Sequence, residues 1–296
     1  MHGVGGKPGW AWIFILEGAL TCVFGIASFW FVYDFPAEAK FLSEPERARV
    51  IRRLVTDKQS VGAEHFSWPI LRSALLDWKM YLAAIIYSGI TTPLYSFSIF
   101  LPSIIHDLGW SQSVVQTQLY SVPPYVAAAI LTVVVGYLAD RTRTRGVYNL
   151  ASSIVGAAGF LMLLASKSPG VKYGGTFLGA IGIYPCISNT ITWVANNVEG
   201  GYRRGVILGF VIGWGNLNGI VSSNVYFSAP TYLEGHGIVL GFMAVFLFGG
   251  TALMMVLLHL ENRKRVRGER DYLIDGKDEK EIRDLGDQRP DFVYTL

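Results

Sequence analysis

Long apolar stretches separated by polar connections dominate the chain. There are seven, Trp12 to Tyr33, Met80 to Ile105, Tyr120 to Ala139, Val147 to Ser166, Tyr173 to Asn197, Gly205 to Ala229 and Gly237 to Leu260. Each approaches or exceeds the roughly 20 residues that a helix rising about 1.5 Å per residue needs to cross about 30 Å of hydrocarbon. Inside them Glu17 is the sole acidic residue, and His259 sits at an exit. The pattern predicts an all-α membrane protein with about seven transmembrane helices.

The polar stretches predict the remaining organisation. Asp34 to Lys79 is the one long internal connection, and within it Ser43-Glu44-Pro45-Glu46 forms a capping box ahead of a short charged helix, Arg47 to Lys58. Beyond Leu260 charge is dense and apolar residues are few, which predicts a mobile tail with only Phe292, Val293 and Tyr294 able to dock. The expected segments are a first helix in residues 1–33, a linker over 34–79, a six-helix bundle over 80–260 and a charged tail over 261–296.

Composition agrees with this partition. The 296 residues are 51% hydrophobic and 16% charged, against about 25% charged in soluble domains, and the mean hydropathy is +0.37. Cys22 and Cys186 both lie in apolar runs, so neither is placed for an outer disulfide or a metal cluster. No metal or other cofactor is implied. The first apolar run is longer than the 7–15 residues of a signal-peptide core, so it is predicted to be retained.

Charge placement sets the expected orientation. Of the 25 basic residues, only Lys7, Lys167 and Lys172 fall on one side of the seven spans, and the other 22 fall on the opposite side. By the positive-inside rule the N-terminus is expected outside and the C-terminus in the cytosol. The basic residues are accounted for by this rule and imply no nucleic-acid partner.

Polar groups in hydrocarbon are costly unless they face other helices or a watery path, so they mark candidate sites. The fifth span holds Asn189, Thr190, Thr192, Asn196 and Asn197; the sixth holds Asn216, Asn218, Ser222, Ser223 and Asn224. Asn189 and Asn216 are expected near mid-membrane, as is Tyr95 in the second span. Trp193 follows Asn189 by four residues and shares its helix face. An aromatic ring beside an amide suits a small planar carboxylate, so Tyr95, Asn189, Trp193 and Asn216 are the candidate substrate-binding residues. The alternative is that such amides and rings hold helices together. Glu17, as an intramembrane carboxylate, is the candidate for proton coupling, with a helix–helix hydrogen bond as its other reading. In the sixth span Gly205, Gly209 and Gly213 form a small-residue stripe expected to pack against a neighbouring helix.

The third span ends Gly136-Tyr-Leu-Ala-Asp140-Arg141-Thr-Arg143-Thr-Arg145. This turn resembles the cytosolic signature of the major facilitator superfamily, in the copy between its eighth and ninth helices, and singles out Gly136, Asp140, Arg141 and Arg145 as conformational residues. Gly9-Trp10-Ala11-Trp12 through Glu17-Gly18, Leu42-Ser43-Glu44-Pro45-Glu46-Arg47, Trp193-Val-Ala-Asn196-Asn197, Arg203-Arg204 to Gly215-Asn216, and Arg289-Pro290-Asp291-Phe292 are similar to the fungal anion:cation symporters of the allantoate permease group. The resemblance runs over essentially the whole chain. It implies a C-terminal six-helix bundle of a major facilitator fold plus one preceding helix, equivalent to helices six to twelve, with helices one to five unmatched.

What the resemblance implies about function follows from the family. Its members are secondary active transporters that move small organic anions such as allantoate, nicotinate or pantothenate with protons, as multi-pass proteins of the plasma membrane. A truncated carrier of this kind would need the missing N-terminal half as a partner to function. The alternatives are a seven-helix receptor and a non-transporting fragment of a carrier. An enzyme is not expected, because no carboxylate pair, metal cluster or nucleophile motif lies at a common depth.

Overall fold

Each predicted apolar run forms a helix in the computed structural model, which describes residues 3–33, 35–56, 68–110, 113–226, 232–278, 281–282 and 285–296. The helices are α1 Gly9–Phe31, α2 Glu44–Thr56, α3 Trp68–Leu75, α4 Trp78–His106, α5 Val114–Thr142, α6 Gly146–Ala165, α7 Pro169–Asn196, α8 Gly201–Val225 and α9 Leu233–Val266, with no strand among the described residues. Seven of these, all but α2 and α3, are long and apolar enough to cross a membrane. Lys58 and Ala229, the expected ends of the charged helix and of the sixth span, lie outside the described residues.

The chain divides into two compact units, Met1–Glu64 and His65–Leu296. In the first, α1 has no buried residue, and its entry is tied by Trp12, whose Nε1 donates to the Val4 carbonyl at 3.0 Å. α2 starts at Glu44, three residues before the expected Arg47, with Ser43 of the capping pattern just ahead of it. The Ser43 amide donates to the Glu46 carboxylate at 3.0 Å, and the Ser43 hydroxyl donates to it at 2.6 Å. These two bonds hold the Glu46 carboxyl below the usual carboxylate range.

In the second unit the packing is dominated by α6 against α7, α5 against α7 and α4 against α8. Close approach of α6 and α7 depends on glycine: a Cβ on Gly182 would sit 2.2 Å from the Gly156 nitrogen, and one on Gly159 2.3 Å from the Gly179 nitrogen. Phe97, Phe160, Ile183, Trp193 and Met243 are among the large side chains fully buried between the helices. α9 widens into a π-helical stretch at Met243–Gly249, and there it meets α4, where a Cβ on Gly89 would lie 2.4 Å from the Leu247 nitrogen. The expected packing stripe of Gly205, Gly209 and Gly213 instead faces open space in this unit.

Two features depart from the sequence pattern. α3, within the predicted loop, packs on α8 and buries Ala74 completely. The tail was expected to be mobile apart from Phe292, Val293 and Tyr294, yet Gly286–Leu296 is docked. Phe292 and Tyr294 are buried while Val293 stays 72% exposed. What docks the tail is mainly charge, which a hydrophobicity reading does not register.

The centre of that docking is Asp287, whose side chain has no exposure. It pairs with Lys79 of α4 and with Arg203 of α8, at 2.6 Å for the latter, and Arg203 also holds Asp77 at 2.8 Å. Arg265 of α9 donates to the carbonyls of Phe292 at 2.6 Å and Asp287 at 3.0 Å, and to the Tyr294 hydroxyl at 2.8 Å. The Thr295 carbonyl accepts from Trp193 Nε1 at 2.8 Å and from Asn197 Nδ2 at 3.0 Å. Burial raises the pKa of the Tyr294 phenol, keeping it protonated.

Candidate functional site: a polar face at mid-depth

Four helices of the second unit bring tyrosines, a serine and an amide together about halfway along their length. Tyr95 of α4 donates its hydroxyl to Asn216 Oδ1 of α8 at 2.7 Å. Three residues along α4, Ser98 Oγ lies 3.0 Å from the Tyr184 hydroxyl of α7. The Tyr184 ring meets Tyr125 of α5 edge-on, with centroids 5.7 Å apart. At about 1.5 Å per residue, Tyr95 stands roughly 26 Å from the start of α4, Asn216 roughly 22 Å from the start of α8, and Tyr184 roughly 18 Å from the end of α7. Ser98 and Asn216 are exposed and the three tyrosines half-buried, so the cluster lies at the surface of this unit.

A seam of hydrogen bonds behind this face fixes α4 to α8. Trp214 Nε1 and Asn218 Nδ2 both donate to Ser88 Oγ, at 3.0 and 3.1 Å, and Ser222 Oγ donates to the Thr92 carbonyl at 3.0 Å. Such bonds are the usual cement between membrane helices, where dispersion and polar contacts replace the hydrophobic effect. The seam therefore sets the spacing at which Tyr95 can reach Asn216.

Of the four predicted binding residues, Tyr95 and Asn216 are brought together, while Asn189 and Trp193 lie elsewhere. Asn189 is seven residues from the end of α7, about 10 Å along the helix rather than halfway. It is 2% exposed and fully engaged: its Oδ1 accepts from Arg145 Nη1 at 3.1 Å, and its Nδ2 donates to the Arg145 carbonyl and to Asn149 Oδ1, both at 2.8 Å. Trp193 is 1% exposed and holds the tail through Thr295. Shared helix face with Asn189 was legible in the four-residue spacing; what the face meets was not.

The signature turn forms one connected structure. α5 ends at Arg143, whose φ of 54° is left-handed, a common helix stop that usually falls to glycine. The chain then enters α6 at Arg145, which pairs with Asp140 and with Asn189, and its amide donates to the Leu296 carbonyl at 2.5 Å. Gly136 faces open space and Arg141 is exposed. Glu17, on α1, belongs to the first unit, where its backbone carbonyl accepts from Thr21 Oγ1 at 2.8 Å.

Tyr184 and Tyr125 are the residues missed from sequence. Both flank proline, Tyr184 before Pro185 and Tyr125 after Pro123-Pro124, and that proximity was the available signal. Among the described residues no group of three or more His, Cys, Asp or Glu side chains is placed to hold a metal ion.

Seven apolar spans and a polar face built from four of them define a multi-pass integral membrane protein of the helical-bundle class. The pattern of the Major Facilitator Superfamily matches residues 3–223, and the chain belongs to that superfamily. An uncharacterized transporter of Schizosaccharomyces pombe is 35% identical over 294 residues, which is 98% of this chain and 59% of the relative. A major facilitator-type transporter of Emericella nidulans is 29% identical over 293 residues, 97% of this chain and 59% of the relative. The high-affinity nicotinic acid transporter of Saccharomyces cerevisiae is 25% identical over 297 residues, 98% of this chain and 54% of the relative. The chain thus spans a little over half the length of the curated relatives it matches.

Proposed function

We propose that this chain forms part of a secondary active transporter for small organic anions, with the polar face of Tyr95, Ser98, Tyr125, Tyr184 and Asn216 as its share of the substrate site. The observation that carries this reading is the pairing of Tyr95 with Asn216 at mid-depth, beside the Ser98–Tyr184 contact. Transporters of this architecture hold substrate near the bilayer midplane, between two helical repeats that rock about it. Hydroxyl and amide groups there can hydrogen-bond a carboxylate while the tyrosine rings stack on a planar ring.

The finer reading is a proton-coupled symporter of the anion:cation type, similar to allantoate permeases, in the plasma membrane. Its support is the run of matching segments from Gly9 to Phe292 and the similarity to a nicotinic acid transporter. Glu17 is the carboxylate assigned to the proton. The Arg145 turn and the tail face the cytosol on this reading, a side supported by the distribution of basic residues. On this reading Asn189 and Trp193 hold the bundle together rather than touch substrate.

Uptake of labelled nicotinate and related carboxylates, in fungal cells lacking their own uptake, tests the proposal. The chain is expressed alone and together with the N-terminal half of the Schizosaccharomyces pombe relative. Tyr95→Phe and Asn216→Ala are expected to reduce uptake by about tenfold, the scale of one lost hydrogen bond, at equal surface expression. Uptake untouched by both changes, or absent for every small carboxylate in the paired system, overturns the reading.

A further inference from the structure

The arginines at the end of α9 face two ways. Arg265 is buried and its guanidinium is taken up by the tail. Arg263 and Arg267, two residues to either side, are exposed, and Arg267 makes a loose pair with Glu269 at 3.7 Å. With His259, Asn262 and Val266 they line a cleft of about 330 Å3. Asn262 is already engaged through both ends of its amide with the Tyr294 backbone, at 2.8 Å each. The polar character offered by the cleft is therefore cationic or imidazole, and among the described residues no carboxylate lines it.

The same face of α9 continues into the apolar span. Leu253, Val256 and Leu260 are 50%, 55% and 46% exposed, and they precede Arg263 and Arg267 at steps of three, four, three and four residues. Those steps align all five side chains along one stripe of a helix. From Leu253 to Arg263 is ten residues, roughly 15 Å of helix, which equals half of a hydrocarbon core about 30 Å thick. A stripe one leaflet long, apolar along its length and doubly cationic at its tip, is complementary to a single lipid molecule with an anionic head.

We propose that this stripe is a binding site for one anionic phospholipid, with the phosphate between Arg263 and Arg267 beside His259 and an acyl chain along Leu253, Val256 and Leu260. Guanidinium groups suit the role because their planar fork can donate two parallel hydrogen bonds to phosphate oxygens. A free phosphate would use the cleft alone and gain nothing from the apolar stripe. Diffuse attraction of a basic protein to an anionic bilayer would depend on total charge and not on which arginines carry it.

Native mass spectrometry of the purified chain in detergent, titrated with phosphatidylglycerol or phosphatidylcholine, distinguishes these cases. One phosphatidylglycerol per chain is expected to be retained in preference to phosphatidylcholine. Arg263→Gln with Arg267→Gln is expected to weaken retention about tenfold or more, whereas Lys40→Gln with Arg49→Gln, an equal loss of charge elsewhere, leaves it unchanged. Arg263→Lys with Arg267→Lys, which keeps the charge and loses the fork, is expected to fall between. Leu253→Ala with Leu260→Ala should weaken lipid retention too, and millimolar inorganic phosphate should not displace the lipid. Equal retention of the two lipids, equal loss in the Lys40/Arg49 control, or displacement by inorganic phosphate would each overturn the proposal.

Discussion

Two polar regions of the second unit use the same residue types to opposite ends. At the Arg145 end, Asn189, Trp193, Arg203, Arg265 and Asp287 are buried and tied into hydrogen bonds and ion pairs that the tail completes, with only the Nε atoms of Arg203 and Arg265 left over among these five residues. At mid-depth, Asn216 and Ser98 are exposed, and the bonds that Tyr95 and Tyr184 make leave capacity for further partners. A buried and densely bonded network fixes one arrangement, because breaking any member strands another in low dielectric. A half-exposed one can exchange its partners for a ligand. An asparagine in a membrane span is thus ambiguous until its surroundings are known.

The contrast is broken most severely at Asp287. Asp287→Ala removes one of the two acids that Lys79 and Arg203 share and leaves Asp77 alone against two buried cations, and a loss of about 3 kcal/mol is expected, read as a lower unfolding temperature in detergent. An unchanged transition would mean that the tail is not docked in solution. Next in size is Asn189→Ala, which strands both Arg145 and Asn149 and is expected to cost about 1–3 kcal/mol. Tyr294→Phe removes a hydroxyl that meets Lys79, Arg265 and Asp287, for about 1 kcal/mol.

Tyr294 also gives the docking a pH dependence of defined sign. Its folded value is raised by burial, so its contribution is complete below the ordinary phenol value of about 10 and is lost as pH climbs through the folded value. Proteolysis of the tail should accelerate in that alkaline range, and Tyr294→Phe should flatten the response. The smallest effect belongs to α2. The Glu46 carboxyl is lowered by Ser43, so its contribution holds above the usual carboxylate range and fades as pH falls through the lower folded value. Helicity of this segment followed against pH should lose that acid-side step in Glu46→Gln.

The seven spans were legible because length and apolarity alone specify them, and the presence of α2 because Ser43 and Glu46 act through local bonds, although the helix starts three residues before the expected Arg47. α3 was hidden, since eight residues with few apolar contacts of their own take their order from α8. The tail was misread because Asp287 and Arg265 look solvated in sequence and become buried only through partners such as Lys79, 208 residues away. Tyr95 and Asn216, which the fold brings together, were singled out by polar character near mid-membrane in apolar runs. Asn189 shared that signal, but its depth and its arginine partner depend on how α6 meets α7, which glycine contacts decide in three dimensions.

One paired measurement reaches the central claim directly: Asn189→Ala and Asn216→Ala, each scored for unfolding temperature and for carboxylate uptake in the two-part system. Asn189→Ala should lower the unfolding temperature, whereas Asn216→Ala should leave it in place, within about 0.5 kcal/mol, and abolish most uptake per folded molecule. The reverse, an Asn216 variant that is unstable yet fully active once folded, would contradict the assignment of the mid-depth face to substrate.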